Sequence, residues 1–360
     1  MQTIPLVDVR AEYEPLIPRL EAAFREVLES ERFIRGPHYW AFQEEAAEYL
    51  GVKRAIGVAN GTDALVLALD ALGVGPGDEV ICPAFTFYAT AESVVRRGAT
   101  PVFADIDAAT LNLDLEDTAT RVTHRTRAII PVHLFGRPLD IRGLLDLGVP
   151  VLEDAAQAFG AEEVAQHGTM STFSFFPTKN LFCLGDGGLV ATNDEELADR
   201  VKLLSFHGSK DKTAFDLVGY NSRLDEMQAA FLRIFLPELA GWNEARRAAA
   251  ARYAELGLGD LVELPPDEPG HVYHLFVCRS RERDAIRAAL AEAGIASATY
   301  YTTPLHLQPS LRYLGYEAGS LPATEQAGAE NFSLPLWPGI AAEAQERVVD
   351  VVRSAVPTRV

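Results

Sequence analysis

The sequence predicts an α/β protein in which a mostly parallel central sheet carries helices on both faces. Two observations predict it. Short apolar runs of strand length alternate with longer amphipathic stretches between residues 55 and 152, the pattern of repeated strand–helix–strand units. The chain is also 360 residues long and 48% hydrophobic, enough to bury one large core and a smaller second one.

Taken in order, Tyr13 to Ser30 sets Leu16, Leu20, Phe24, Val27 and Leu28 on one face at helical spacing. A second amphipathic helix follows from Tyr39 to Leu50. The alternation then begins: strand Ala55–Ala59 and helix Asp63–Leu72, strand Val80–Cys82 and helix Tyr88–Arg97, then strands Pro101–Ala104, Ala128–Val132 and Val151–Leu152. Runs this apolar suit strands covered on both faces. The turn Gly73-Val74-Gly75-Pro76-Gly77-Asp78 lacks the third spaced glycine of a dinucleotide loop and precedes a strand, so it is punctuation. Asn193 or Asp194 can cap a helix running to about Ser205. Helices are expected at Leu224–Leu239 and Trp242–Leu256, a composition break at Leu264–Gly270, a strand at Val272–Cys278 and a helix at Arg281–Ala293. A boundary near residue 245 divides the chain into a large domain, residues 1–244, and a smaller C-terminal α/β domain, residues 245–360.

The formal net charge of −19 opposes non-specific binding to nucleic acid or anionic membranes. An anionic substrate therefore needs a local cationic or amide-lined pocket. No apolar run approaches the roughly 20 residues of a membrane span, and the N-terminus lacks the features of a signal peptide. Cys82, Cys183 and Cys278 are odd in number and far apart. No disulfide framework or metal site is expected, and a reducing cytoplasm fits.

Four segments could carry chemistry, each at a strand end or turn, where doubly wound sheets bind ligands. Asn60-Gly61-Thr62 joins a strand to a helix. Gly61 permits close backbone approach, free helix-start amides attract an anion, and Thr62 adds a hydroxyl. Alone, the segment reads more simply as a helix cap. Pro83 to Thr90 puts Phe85 and Phe87 just after a strand, where, taken alone, core packing is the better explanation. Glu153-Asp154-Ala155-Ala156-Gln157 follows a buried strand. An acid there is expensive unless it meets a cation or donors, and a protonated heterocyclic nitrogen would serve; a helix-capping aspartate is the alternative. Ser174-Phe175-Phe176-Pro177-Thr178-Lys179-Asn180 precedes Gly185-Asp186-Gly187-Gly188 and sets a lysine between an aromatic strand and a glycine turn. Such a lysine is either a surface residue or a depressed, usable amine. The order of the four is what counts. An anion cradle, a stacking face, a ring-charging acid and an amine are the parts a pyridoxal-phosphate site requires.

As a set, Gly61-Thr62-Asp63-Ala64-Leu65, Glu153 to Ala158, Ser174 to Asn180 and Gly219 to Ala230 resemble the DegT/DnrJ/EryC1/StrS family of sugar aminotransferases. The likeness runs from Phe33 to Leu336. It implies the type I, aspartate-aminotransferase-like fold and pyridoxal 5'-phosphate as cofactor. It implies that Lys179 bonds the cofactor as a Schiff base and shuttles the proton. Asp154 would pair with the ring nitrogen, Gln157 with the ring hydroxyl, and Phe87 would stack on the ring. Gly61, Thr62 and Ser174 would hold the phosphate, joined by Asn221 of a second subunit in a homodimer with shared sites. The pattern departs in two places: Asn60 stands where serine is common, and an arginine often found two residues before His207 is absent.

The resemblance also implies a nucleotide-linked keto-sugar as acceptor and glutamate as donor. Tyr300-Tyr301 and Pro304-Leu305-His306-Leu307-Gln308-Pro309 look like the segment of members acting at C3 of dTDP- or UDP-linked 3-keto sugars. Tyr301, His306 and Gln308 are therefore the expected substrate contacts. His306 reads equally as a structural loop histidine. The alternatives are a 4-keto-sugar or keto-inositol aminotransferase and, from another class, a non-catalytic cofactor-binding regulator. A sugar dehydratase is disfavoured by Lys179 and by cysteines without cluster spacing.

Overall fold

The computed structural model describes residues 3–356. Among them, seven strands build the main sheet: β1 (Arg54–Val58), β2 (Glu79–Pro83), β3 (Thr100–Ala104), β4 (Thr126–Ile129), β5 (Leu152–Asp154), β6 (Met170–Ser174) and β7 (Gly188–Thr192). The ladders run β1-β7-β6-β5 and β3-β2-β4. Parallel bridges Ile129–Val151 and Val132–Asp154 join them into one sheet. β7 is antiparallel to β1 and β6, whereas β2–β3, β2–β4 and β5–β6 are parallel. Every residue of β2, β5 and β7 is buried. Helices cover both faces, which is why these strands read as unbroken apolar runs rather than alternating ones.

The expected strands of the alternating region are present within one to three residues at each end. Two features were not anticipated. β7 follows the glycine turn directly, and the five residues Gly188–Thr192 were too short to stand out beside it. The strand expected around Phe175 and Phe176 ends at Ser174, so those two aromatics lie in the turn that carries Lys179.

A second apolar core lies around β8 (Phe276–Arg279), which pairs antiparallel with β9 (Asn331–Leu334). Helices Arg283–Glu292 and Ala342–Ala355 pack on it through Ile286, Leu290, Val348 and Val352. Ile4 belongs to this core and bridges to Ile295. The expected division at residue 245 falls inside the helix Leu239–Glu255. The chain also returns to the main sheet afterwards, since Leu305, Leu311 and Leu321 pack with Leu65 and Leu67. A single cut at 245 therefore does not separate the two cores. The strand expected from Val272 begins only at Phe276. Tyr273, at φ +44°, turns the backbone first.

Candidate active site

A cleft of about 850 Å³ opens beyond the carboxyl ends of β2, β5 and β6. Its charged lining is Asp63, Glu92, Arg96, Asp154, Lys179 and Asp186.

One end of the cleft is built by the helix Gly61–Ala71. Asn60 caps it, its Oδ1 accepting from Asp63 N at 2.8 Å, so the departure at this position performs a serine's capping work. The amides of Gly61 and Thr62 are left without intrahelical partners. A Cβ at Gly61 would stand 2.7 Å from the Ser174 Cβ. Glycine thus lets the helix start and the Ser174 hydroxyl share one small concavity.

β5 delivers the acid. Asp154 is buried, and its Oδ2 accepts from Thr90 Oγ1 at 2.8 Å. Its Oδ1 accepts from Ala156 N at 3.2 Å. Thr86 Oγ1 lies 3.3 Å from Thr90 Oγ1 and steadies it. Burial pushes the Asp154 carboxyl above its ordinary range, against the pull of Thr90, Ala156 and the Lys179 charge. A carboxylate left in that state gains from a cation placed in the cleft.

The turn after β6 delivers the amine. Lys179 N donates to Phe176 O at 2.8 Å and fixes the turn. Burial pushes the side-chain amine down to about 8, opposed by Asp154. A neutral, nucleophilic form is therefore accessible near neutral pH. Lys179 Nζ lies 3.5 Å from His274 Nε2.

Between acid and amine, Gln157 Oε1 accepts from Phe135 N at 2.7 Å, and Gln157 Nε2 donates to the Tyr301 hydroxyl at 3.3 Å. Phe87 is exposed, with its ring centre 6.1 Å from that of Tyr301. A large exposed aromatic beside a cleft is an available stacking face.

Gly61, Thr62, Phe87, Asp154, Gln157, Ser174, Lys179 and Tyr301 thus line one cleft. Three expected site residues do not. Asn221 bridges Phe206 at an exposed position, its Oδ1 accepting from Arg223. His306 is buried, with Nε2 3.1 Å from Glu325 Oε1. Glu325 in turn accepts from Gly319 N at 2.8 Å, so His306 braces a loop and makes no wall of this chain's cleft. Gln308 Nε2 donates to Thr303 O at 2.9 Å. Two residues at the site were missed. Thr90 sits in an aromatic segment that reads as core, and His274 arrives from the far side of the chain with no local motif.

Pyridoxal 5'-phosphate fits this donor set: a glycine-made concavity for the phosphate, a buried acid short of a cation, and a depressed amine. The sheet order and these groups define a type I pyridoxal-phosphate enzyme. One solved relative, NtdA of Bacillus subtilis, 31% identical, carries this cofactor in its amine form.

The model of the DegT/DnrJ/EryC1/StrS aminotransferase family matches residues 17–353, and the chain belongs to that family. It is 47% identical to a "Pleiotropic regulatory protein" of Geobacillus stearothermophilus over 97% of each chain. It is 44% identical to UDP-N-acetyl-3-dehydro-alpha-D-glucosamine 3-aminotransferase of Acidithiobacillus ferrooxidans, again over 97% of each. The fold matches that of S. venezuelae DesV, solved in complex with a ketimine intermediate. The TM-score is 0.95, with 42% identity over 98% of each chain. The chain is a pyridoxal-phosphate-dependent aminotransferase. Among the described residues, no helix is long and apolar enough to cross a membrane.

Proposed function

We propose that this aminotransferase moves an amino group from glutamate to C3 of a nucleotide-linked 3-keto sugar, dTDP- or UDP-linked. One observation carries the chemistry: the depressed Lys179 amine and the buried Asp154 carboxyl meet in one cleft large enough for cofactor and sugar. Support for a 3-keto sugar comes from the relative named for 3-amination of a UDP-sugar.

When bound, pyridoxal phosphate supplies a carbonyl that exchanges amines and a ring that takes up the electrons of a broken Cα–H bond. The chain's own residues do the rest. Lys179 would bond the cofactor, and once displaced its neutral Nζ would take the substrate Cα proton and deliver it to the carbon on the far side of the shared nitrogen. Asp154, aimed by Thr90, keeps a proton on the ring nitrogen. Gln157, fixed between Phe135 N and Tyr301, meets the ring hydroxyl. Phe87 covers one ring face, and Gly61, Thr62 and Ser174 hold the phosphate. Tyr301 reaches the substrate side. His306 and Gln308 are left out of this assignment.

The active unit is a homodimer in the reducing cytoplasm. All three cysteines are free and buried. Within one chain, Arg96 is the cleft's second cation beside Lys179, and it is already paired with Glu92 at 2.7 Å. An anionic substrate gains from the partner's loop, where Asn221 lies beside Arg223.

Borohydride reduction of the loaded enzyme should tritiate the peptide bearing Lys179; label on another lysine sinks the assignment. A single turnover with glutamate should convert the bound cofactor to its amine form. A cofactor-binding regulator, the reading favoured by the name of one relative, would bind without converting it. A panel of nucleotide-linked 3-keto sugars, 4-keto sugars and keto-inositols then tests the acceptor. Preference for either of the last two removes the C3 reading.

A further inference from the structure

One buried titratable group at the site has no part in the chemistry above. His274 lies in the cleft, 6% exposed, with Nε2 3.5 Å from Lys179 Nζ. Its Nδ1 has no hydrogen-bond partner among the described residues. The contact with Lys179 is thus the hydrogen bond the imidazole has. His133, also buried, is by contrast satisfied at both nitrogens, with Nε2 on Glu153 at 2.8 Å and Nδ1 accepting from Leu139 N at 3.0 Å.

The backbone holds His274 in place from two sides. Asn180, next to the catalytic lysine, donates through Nδ2 to Val272 O at 2.8 Å and to Asn243 Oδ1 at 2.7 Å. On the other side, Val272 N donates to Gly136 O at 2.9 Å. Gly136 has φ +91°, and a Cβ there would stand 2.7 Å from His274 N. Only glycine permits that approach. The neighbouring Phe135 N is the group that fixes Gln157. His274, the lysine turn and the cofactor-facing glutamine are therefore one rigid assembly, drawn from segments almost 140 positions apart.

We propose that His274 is a positioning residue for the amine: its Nε2 receives Lys179 whenever Lys179 is not bonded to the cofactor, and so aims it for proton transfer. The proposal rests on the assignment of Lys179 made above. Its chemistry is simple. An ammonium donates and a neutral imidazole accepts. Burial, then the charges of Lys179 and Arg246, hold His274 well below its ordinary value, so it stays neutral and keeps its lone pair. The charged groups facing the pair are Asp154 from β5 and Arg246 from the helix Leu239–Glu255. Arg246 is itself paired with Glu12 at 2.8 Å. The 3.5 Å gap is at the long end of hydrogen bonding, and rotation of the flexible lysine stem closes it.

The test uses enzyme loaded with pyridoxamine phosphate, in which Lys179 is unbonded. Lys179 is titrated by its rate of acetylation at each pH, read by mass spectrometry of its peptide. Removing the acceptor destabilises the ammonium, so His274→Leu should lower the midpoint by about half to one pH unit. In enzyme loaded instead with pyridoxal phosphate, washout of deuterium from Cα-deuterated glutamate should slow roughly tenfold or more. His274→Gln, whose amide oxygen reaches the place of Nε2, should restore both readings. His274→Asn keeps polarity but falls short, and should behave as His274→Leu; it serves if the leucine variant fails to fold. A wild-type midpoint in both His274→Leu and His274→Asn, or no recovery in His274→Gln, overturns the proposal. Borohydride label on a lysine other than Lys179 would instead overturn the earlier assignment, while the acetylation titration still reports the His274 contact.

Discussion

Glu153 and Asp154 are consecutive acids at the end of one strand, and they live in opposite worlds. Successive side chains of a strand point to opposite faces. Glu153 faces inward and is met by four donors. Its Oε1 accepts from Ser171 Oγ at 2.8 Å and Gly168 N at 3.1 Å, and its Oε2 from His133 at 2.8 Å and Ala165 N at 3.4 Å. Burial alone would raise its carboxyl, but His133, Ser171 and Ala165 hold it below the ordinary value. Asp154 faces the cleft, has two donors, and is raised by burial. Equal burial yields opposite shifts, so partners rather than depth decide the charge. Glu153 is finished by the protein. Asp154 is left open to the cleft, which is what the proposed pairing with the cofactor's ring nitrogen uses.

The comparison can be broken at several points. Asp154→Asn should slow transamination by about 10²–10³-fold, the usual size of one lost electrostatic group at a reacting centre. The cofactor-free protein should lose no stability to denaturant. Glu153→Gln should do the reverse. Its amide sets an N–H against one of the donors already present and lowers unfolding free energy by about 3 kcal/mol. Turnover per loaded site should stay within roughly threefold, because no contact with the cleft is changed. If both variants lost activity equally, the division of labour would be wrong. Thr90→Val should slow the reaction by roughly tenfold, from the loss of one hydrogen bond to a charged group.

The smallest effect is on acid stability, and its sign differs between the two. The folded value of Glu153 lies below its unfolded value, so its contribution is present above the unfolded value and lost as pH falls through the folded one. The folded value of Asp154 lies above its unfolded value, so the ionised acid weakens the cofactor-free fold and relief comes as pH falls. Urea midpoints should therefore show Glu153→Gln below wild type at neutral pH and Asp154→Asn above it. The Asp154→Asn difference should shrink as pH falls toward 4, and the Glu153→Gln difference only once pH drops below about 4.5. Matching signs would show that the two acids share one environment.

Much of the cleft was legible in the sequence because most of the expected cofactor contacts sit on short segments with their own patterns, and these segments line one cleft. A strand, a glycine and a cap announce Gly61 and Thr62; a lysine between aromatics and glycines announces Lys179. Glu153 and Asp154 were visible as a pair, but which of them meets the cleft depends on the pleat and not on composition. Thr90 was hidden because its partner is 64 positions away. His274 was hidden for the same reason, as its neighbour is 95 positions away. His306 is a different case. Its Pro-Leu-His segment suggested either a ligand contact or a structural loop histidine, and within one chain its Nε2 faces Glu325. Local patterns predict chemistry when the contact is local and say less when folding supplies the partner.

The pairing of β1 with β7 has a consequence for synthesis. Arg54 lies opposite Thr192, so an edge made early in translation has no partner until about 140 residues later. At 5–20 residues per second the wait is on the order of 10 s. Through that interval the apolar run Ala55-Ile56-Gly57-Val58 presents an open edge, a template for pairing with other nascent chains. Closing the sheet at β1 is therefore a long-range step, one that waits for a strand made much later in the chain.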